Sequence, residues 1–485
     1  MLSPSLILGC FAAYFLLLLY IAWRTSRNST SQDFFVGSRK SKWYLVAYGM
    51  IGTSLSGVTF MSVPGKVGAA HFGYFQIVIG YFLGYLVVAF VLLPLYYKHN
   101  LTSIYNYLQT RFGKITYKTG ASFFLLSRTL GATLRIFLVI NVLQIFVLDA
   151  WNVPFVVTTL IILAMILLYT FKGGVKTIVW TDTLQTTFML LALVVCVVFI
   201  MQKLNLSFGG MMSALNAKHY TDIFSGDVNN KKFFLKQILG GMFITIAMTG
   251  LDQEMMQKNI SVSTLRGAQK NMLSFSVVLV AVNFLFLLLG GVLYLYAEEK
   301  GIAIPKLTDD LFPSIALQYL SPLVGLIFII GLISALFPSA DGALTALTSS
   351  FCIDILGINR NEKLNEQQKT KTRLSVHLAM SIVFLICIVI FKIINQRAII
   401  DLLLDIAGYT YGPLLGLFAF GIFTKRKFND KLSPIVCLLA PAMTYGIFQL
   451  SEHKMIAGEY QVGLELLLIN GVMTFVGLFF ISKKN

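Results

Sequence analysis

Charged residues are scarce in this sequence: only 12% of its 485 residues are Asp, Glu, Lys or Arg, whereas 57% are hydrophobic. The mean hydropathy of +0.78 lies far outside the range of soluble domains. The five cysteines form no CxxC pair and the five histidines no HExxH motif, so neither a disulfide framework nor a metal centre is predicted. A phosphate-binding GxxxxGK[ST] motif is also missing, which argues against ATP-driven transport. We therefore expect a membrane protein that is not an enzyme.

Acidic residues are rarer than basic ones, 21 against 38, and the net charge is +17. The basic residues concentrate in loops on one side of the expected membrane spans, for example Arg24, Arg39, Lys40, Lys425 and Arg426. This bias is typical of cytoplasmic loops, so we expect the N-terminus outside and the C-terminus in the cytoplasm. The partner of these residues is then the anionic lipid of the bilayer, and no nucleic acid is expected.

Long hydrophobic stretches dominate the chain. About 20 apolar residues cross a bilayer, and thirteen stretches approach that length. They are residues 4–23, 43–65, 73–96, 119–148, 153–171, 179–202, 235–256, 272–298, 318–348, 372–394, 400–423, 431–450 and 462–482. We predict an all-α polytopic membrane protein with about 13 transmembrane helices, organised as one domain over residues 1–485.

Two of these stretches contain helix-breaking residues. The second reads YGMIGTSLSGVTFMSVPG, and the seventh reads LGGMFITIAMTGLDQ. They lie five spans apart, as expected if spans two to six and seven to eleven are inverted repeats. Interrupted helices in corresponding positions of two repeats indicate a binding site near the membrane midplane.

The ninth stretch contains a carboxylate within the sequence ISALFPSADG. Asp341 is expensive to bury in hydrocarbon, so it indicates an ion or substrate path. Ala335, Pro338, Ser339 and Gly342 share one helical face. Because Pro338 lacks an N–H, it leaves a backbone carbonyl free for a cation. The alternative is a proline kink whose hydroxyls bond back to their own helix.

A second carboxylate, Asp182, lies in GGVKTIVWTDTLQ near the inner end of span six. It is predicted to share a cavity with Asp341 and to hold a cation or a proton with it; the alternative is a carboxylate at a helix start. Asp401 and Asp405 begin span eleven and are interpreted as an N-terminal pair or as gate-lining groups.

Arg128 and Arg135 lie seven residues apart on one face of span four. Arg135 falls near the middle of the span, too deep for its guanidinium to reach water easily. It is either a receptor for a substrate carboxylate or half of a structural ion pair. Arg128 is interpreted as structural or lipid-facing.

Four segments carry a resemblance that covers the chain from Phe34 to about Lys425. They are DFFVGSRKSKWYLVAYGMIGTSLSG (33–57), GGVKTIVWTDTLQ (173–185), DQEMMQKNISVSTLRGAQKN (252–271) and GYTYGPLLGLFAFGIF (408–423). With them the chain resembles the sodium:solute symporter family. The resemblance implies a LeuT-type inverted-repeat (5+5) core with two broken helices. The first repeat would be 43–202 and the second 235–423, with an extra span at 4–23 and two more within 431–482.

The resemblance also implies a set of sodium ligands. The shared site would use backbone carbonyls at Gly52, Leu55 and Ala335 and hydroxyls at positions 338 and 339. A second site found in some members would use Asp182 and hydroxyls at positions 341 and 342. This chain departs from the pattern, because those positions hold Pro338, Asp341 and Gly342. Sodium is then expected to move toward Asp341, or a proton to replace one sodium.

By the same resemblance, Ser56 and Thr59 would face the solute, with Gln76 and Arg135 as further contacts and Gln253 at the inner gate. We expect a sodium-coupled symporter for a small organic anion, sialic acid-like or a monocarboxylate, with no organic cofactor, in a bacterial inner membrane. The alternatives are a sugar or polyol symporter, a proton-coupled carrier, and a membrane sensor on the same scaffold. The sequence does not define the oligomeric state.

Overall fold

A computed structural model describes residues 4–26, 41–101, 103–360, 363–394, 398–456 and 459–483. The side chains of 171–176 are not described, although their backbone is helical. The start of the first family segment (33–40), with Arg39 and Lys40, therefore lies outside the described residues.

The described chain is helical almost throughout, because apolar segments in lipid must satisfy their backbone hydrogen bonds internally. The helices of the first half are α1 (Pro4–Ser26), α2 (Trp43–Ala70), α3 (Tyr74–Val87, extended by Val88–Leu92 and Leu93–Lys98), α4 (Asn106–Arg111), α5 (Lys114–Leu143), α6 (Phe155–Lys203) and α7 (Phe208–Ala217).

The helices of the second half are α8 (Phe234–Thr245), α9 (Gln253–Ile260), α10 (Leu265–Glu299), α11 (Leu311–Ser314), α12 (Pro322–Ser350), α13 (Glu366–Ile394), α14 (Ile399–Thr410), α15 (Gly412–Phe423), α16 (Ser433–Glu452) and α17 (Leu466–Phe480). Of these, α8 and α9 form the predicted broken seventh span. Two short strands, β1 (Lys427–Phe428) and β2 (Ser482–Lys483), pair antiparallel beside the last helices.

Eight helices of the described residues are long and apolar enough to cross a membrane, or up to ten if each bent pair is one span. Shorter apolar helices occur at Phe155–Thr170 and Leu466–Phe480. The helical class and the multi-pass character are thus confirmed, while the count of 13 stays a prediction. One detail was wrong: no loop separates the predicted spans at 153–171 and 179–202, because helical backbone continues through α6.

Burial separates central helices from peripheral ones. In the most apolar windows of Lys114–Trp151 and Pro322–Leu356, 78% of residues are buried, against 28% for Ser5–Thr25 and 22% for Asp430–Glu452. α5 and α12 therefore form the interior, and the predicted extra spans at both ends of the chain lie outside it. The division into two inverted repeats stays a prediction.

Close helix packing in the interior depends on small residues. A Cβ at Gly80 of α3 would lie 2.1 Å from the backbone oxygen of Ile238 in α8, so no larger residue fits there without moving a backbone. Such contacts let backbones approach closely in membrane helices. This contact packs α8, the first half of the second broken helix, directly against α3.

Candidate functional site: a cavity between two broken helices

The first predicted break is present in α2. Ser56 adopts φ 40° and ψ 172°, which interrupts the helix. Positive φ is uncommon for a residue with a Cβ, and such strain concentrates at functional sites. One turn earlier, the N–H of Gly52 donates to Thr186 Oγ1 at 3.1 Å. The break lies beside the cavity that Leu55 and Ser56 help to line.

The second break joins α8 to α9 with a bend of 64°. Asp252 caps α9, because its Oδ1 accepts from the N–H of Glu254 at 2.9 Å and of Met255 at 3.3 Å. Its Oδ2 accepts from the hydroxyl of Tyr411 at 2.8 Å. The predicted break is confirmed, and the helix continues to Ile260, beyond the predicted end of span seven.

A polar cavity lies between the two breaks. Ser56, Thr59 and Arg135, three of the four predicted solute contacts, line it. Its wall also includes hydroxyls that the sequence analysis did not single out, from Ser54, Tyr74, Tyr81, Tyr85, Thr245 and Thr249. This cavity thus has many hydroxyl groups and two guanidinium groups, those of Arg128 and Arg135, at its wall.

Gln76, the fourth predicted contact, is buried on α3, and its side-chain N–H donates to the carbonyl of Gly73 at 3.1 Å. Gln76 is not among the side chains that line the cavity of the described residues. Its direct contact with a solute stays a prediction that this arrangement does not support.

The two arginines of α5 differ in their partners. Arg128, 2% exposed, donates to Glu254 Oε2, and one of its nitrogens lies 3.9 Å from Asp252 Oδ2. This buried ion pair agrees with the structural interpretation of Arg128, which also lines the cavity, and the lipid-facing interpretation was wrong because Arg128 is buried against Glu254. Arg135 lies two helical turns further along α5, and it has neither a hydrogen bond nor an ion pair with a described residue.

The ligands predicted for the shared sodium site lie on α2 and α12, which pack against each other. Gly52 and Leu55 precede the break at Ser56, and Ala335, Pro338 and Ser339 are buried on α12. Helix α12 runs unbroken through Pro338. The Ser339 hydroxyl lies 3.2 Å from the carbonyl of Ala335 and 3.1 Å from that of Leu336, so the alternative of back-bonded hydroxyls describes its present contacts. Its lone pairs stay available to a cation.

Asp341 and Asp182 are not among the described residues that line this cavity, and each is bonded to a group from another helix. That the two carboxylates hold a cation or a proton together stays a prediction. The hydroxyl of Tyr169 donates to Asp341 Oδ2 at 2.8 Å. Asp182 Oδ2 accepts from Lys258 Nζ at 2.7 Å and from Thr53 Oγ1 at 3.1 Å. Asp182 also lies inside α6, so the alternative of a helix-start carboxylate was wrong.

Residues predicted at gates make fixed contacts at two ends of the core. Lys66, near the end of α2, forms an ion pair with Asp401 in the first turn of α14, which agrees with the helix N-terminal interpretation of Asp401, while its role at a gate stays a prediction. At the other break, Gln253 Oε1 accepts from the backbone N–H of Ile104 at 3.0 Å. Gln253 therefore ties the start of α9 to the segment between α3 and α5.

Two charged residues of this site were missed by the sequence analysis. Glu254 and Lys258 follow the last apolar residues of span seven, where charged side chains normally reach solvent. Both are buried, 2% and 3% exposed. Their spacing of four residues, directly after an N-capping Asp252, was the available signal.

A polytopic helical protein with two broken helices around a polar cavity has the architecture of a secondary transporter. Residues 34–431 match the sodium:solute symporter family, and the chain belongs to that family. The resemblance drawn from the sequence is thereby confirmed.

Relatives within the family include organic-anion carriers. The chain is 22% identical over 441 residues to the sodium/sialic acid symporter of Proteus mirabilis (strain HI4320), covering 87% of this chain and 84% of that protein. It is 27% identical over 450 residues to human sodium-coupled monocarboxylate transporter 1, covering 87% and 69%.

The fold also matches a solved structure, a substrate-bound outward-open Na⁺-coupled sialic acid symporter. The TM-score is 0.82 at 19% identity, with 99% of this chain and 98% of that chain covered. This likeness confirms the predicted LeuT-type fold.

Proposed function

We propose that the protein is a sodium-coupled symporter that carries a small organic anion by alternating access. Family membership supports sodium coupling, and the relatives similar over most of the chain are named for sialic acid and monocarboxylates. The membrane is proposed to be a bacterial inner membrane, with the N-terminus outside and the C-terminus in the cytoplasm.

The guanidinium of Arg135, which has no hydrogen-bond or ion-pair partner among the described residues, is the observation that carries the choice of an anion. A buried charge without a partner is costly, whereas a carboxylate ligand would pair with it through charge-assisted hydrogen bonds. A neutral sugar would leave that charge uncompensated, so the sugar alternative has less support. The surrounding tyrosine, serine and threonine hydroxyls favour an anion that also carries hydroxyl groups, as a sialic acid does.

Sodium is proposed to bind beside the break in α2. The ligands would be the carbonyls of Gly52, Leu55 and Ala335 and the hydroxyl of Ser339, which are the hard oxygen groups that such a cation prefers. Pro338 offers no hydroxyl, so this site has one ligand fewer than the family pattern. Opening and closing would involve the Lys66–Asp401 pair on one side and the contact of Gln253 on the other.

The sodium site predicts a cation-specific gain in thermal stability. A ligand that binds only the folded protein stabilises it by about 2.7 kcal/mol at a hundredfold excess over its dissociation constant. We expect sodium chloride, but not potassium or choline chloride, to raise the melting temperature of the purified protein. Ser339→Ala and Asp341→Asn should both reduce this shift, the second because it removes negative charge from the same helix.

The matched control is Ser381→Ala. Ser381 is also a buried serine, and its hydroxyl bonds back to the carbonyl of His377 at 3.0 Å on α13. It should keep the full sodium shift. A shift that is equal in all three salts, or unchanged in Ser339→Ala, would contradict the proposed ligand set.

Transport itself is tested by uptake into proteoliposomes under an inward sodium gradient. Labelled sialic acid is the first solute, and lactate, pyruvate and glucose are competitors. Sodium-driven uptake inhibited by the anions and not by glucose supports the proposal. Uptake driven by a proton gradient in the absence of sodium would favour the proton-coupled alternative.

A further inference from the structure

Lys258 lies where three helices meet, and it is almost fully buried. It belongs to α9, and its Nζ donates to Asp182 Oδ2 of α6 and to Thr53 Oγ1 of α2, both at 2.7 Å. Glu254 Oε1 lies 3.8 Å from the same nitrogen. The ammonium is therefore surrounded by oxygen atoms that come from both broken helices and from α6.

The oxygen atoms around Lys258 are not all used. Asp182 Oδ1 and Glu254 Oε1 are buried and have no hydrogen-bond partner among the described residues. Their side chains are only 1% and 2% exposed. Two carboxylates and a hydroxyl are a donor set for a hard cation. The ammonium of Lys258 compensates part of the negative charge of these two carboxylates.

Glycine at position 342 makes room for this arrangement. A Cβ there would lie 2.3 Å from Glu254 Oε1 and 3.3 Å from Lys258 Nζ. The ammonium and the carboxylate thus lie directly against the backbone of α12, next to Asp341. A serine at this position would displace one of them.

We propose that the ammonium of Lys258 acts as a resident cation in a position that an exchangeable sodium ion would otherwise occupy. This inference rests on the proposed sodium-coupled function and adds its stoichiometry. The protein then binds one exchangeable sodium, at the break in α2. Removing the lysine's charge while keeping Asp182 and Glu254 creates a second sodium site.

An ion pair that serves stability alone would behave differently. Without the ammonium, Asp182 is left buried and uncompensated, which destabilises the folded protein. If the position accepts only an ammonium, that loss is the same in every salt. If the position is a cation site, sodium restores the stability and potassium or choline does not.

The experiment compares the wild type with Lys258→Met and Lys258→Gln. Equilibrium binding of radioactive sodium to the purified proteins gives the number of ions bound, and melting curves are recorded in sodium, potassium and choline chloride at equal ionic strength. We expect one sodium per wild-type molecule and two per variant molecule. The variants should also show a larger sodium-specific rise in melting temperature than the wild type.

Three controls keep the result interpretable. Lys258→Arg retains the charge and should bind one sodium. Lys236→Met removes another buried lysine, whose partners are the carbonyl of Gln461 at 2.9 Å and Glu465 Oε1 at 3.8 Å, and this variant should also bind one sodium. Asp182→Asn/Lys258→Met removes both charges and should lose the additional ion.

The outcomes separate the two proposals. Absence of sodium binding by the wild type would count against the proposed function. One sodium in both wild type and Lys258→Met would overturn the resident-cation proposal alone. Variants that fail to fold in sodium as well as in choline would overturn it too, since sodium could then not replace the ammonium.

Discussion

Arg135→Gln is expected to abolish uptake of an organic anion at solute concentrations that saturate the wild type. Removing one partner of a buried, hydrogen-bonded charge pair costs about 2–5 kcal/mol of binding free energy. The dissociation constant for the anion should therefore rise by at least about 30-fold. Binding of a labelled sialic acid, measured in detergent with sodium present, checks this directly.

The stability of Arg135→Gln distinguishes a receptor from a structural residue. Because the guanidinium has no partner among the described residues, its loss should leave the melting temperature of the solute-free protein unchanged or raise it. Arg135→Lys keeps the charge but loses the bidentate geometry, so we expect intermediate affinity. A large fall in melting temperature together with unchanged anion affinity would place Arg135 in the scaffold.

Arg128→Met is expected to have the opposite effect, a severe loss of stability. Its removal takes the hydrogen-bonded cation from Glu254, which then has only Lys258 at 3.8 Å, and the nearby cation from Asp252; breaking a buried ion pair costs about 3–5 kcal/mol. The melting temperature and the yield of monodisperse protein should both fall. Fluorescence-monitored thermal unfolding in detergent measures the change.

A double variant tests the cause of that loss. Arg128→Met combined with Glu254→Gln removes the stranded charge, so part of the stability should return, because replacing a whole buried ion pair is often neutral. Equal instability of the single and double variants would show that the packing of Arg128, and not its charge, matters.

The helical class, the family and both helix breaks could be predicted from the sequence, because each depends on local chemistry. Apolar length defines a membrane helix, and clustered glycines with hydroxyl residues mark the interruptions at Ser56 and before Asp252. The pattern of apolar residues was misleading at 172–178, which separate the predicted fifth and sixth spans, because the helical backbone of α6 continues through them.

The charge pairs could not be predicted, because their partners are far apart in sequence. Helical spacing puts Arg128 and Arg135 on one face, but it does not reveal that Glu254, 126 residues from Arg128, pairs with that arginine, whereas Arg135 has no partner among the described residues. In the same way Asp182 and Lys258 are 76 residues apart. The resemblance to a family suggested sodium for Asp182, and only tertiary structure brings a lysine to it.

The fixed ammonium of Lys258 has an energetic consequence for transport. A charge tethered to the protein does not leave with the solute, so one sodium and one monovalent anion would cross together without net charge. Such a cycle is electroneutral, and the membrane potential contributes nothing to accumulation. A second sodium would add about 2.3 kcal/mol per 100 mV. Because Lys258 would occupy the second cation position, the membrane potential would not drive accumulation of the solute, and accumulation would depend on the sodium gradient alone.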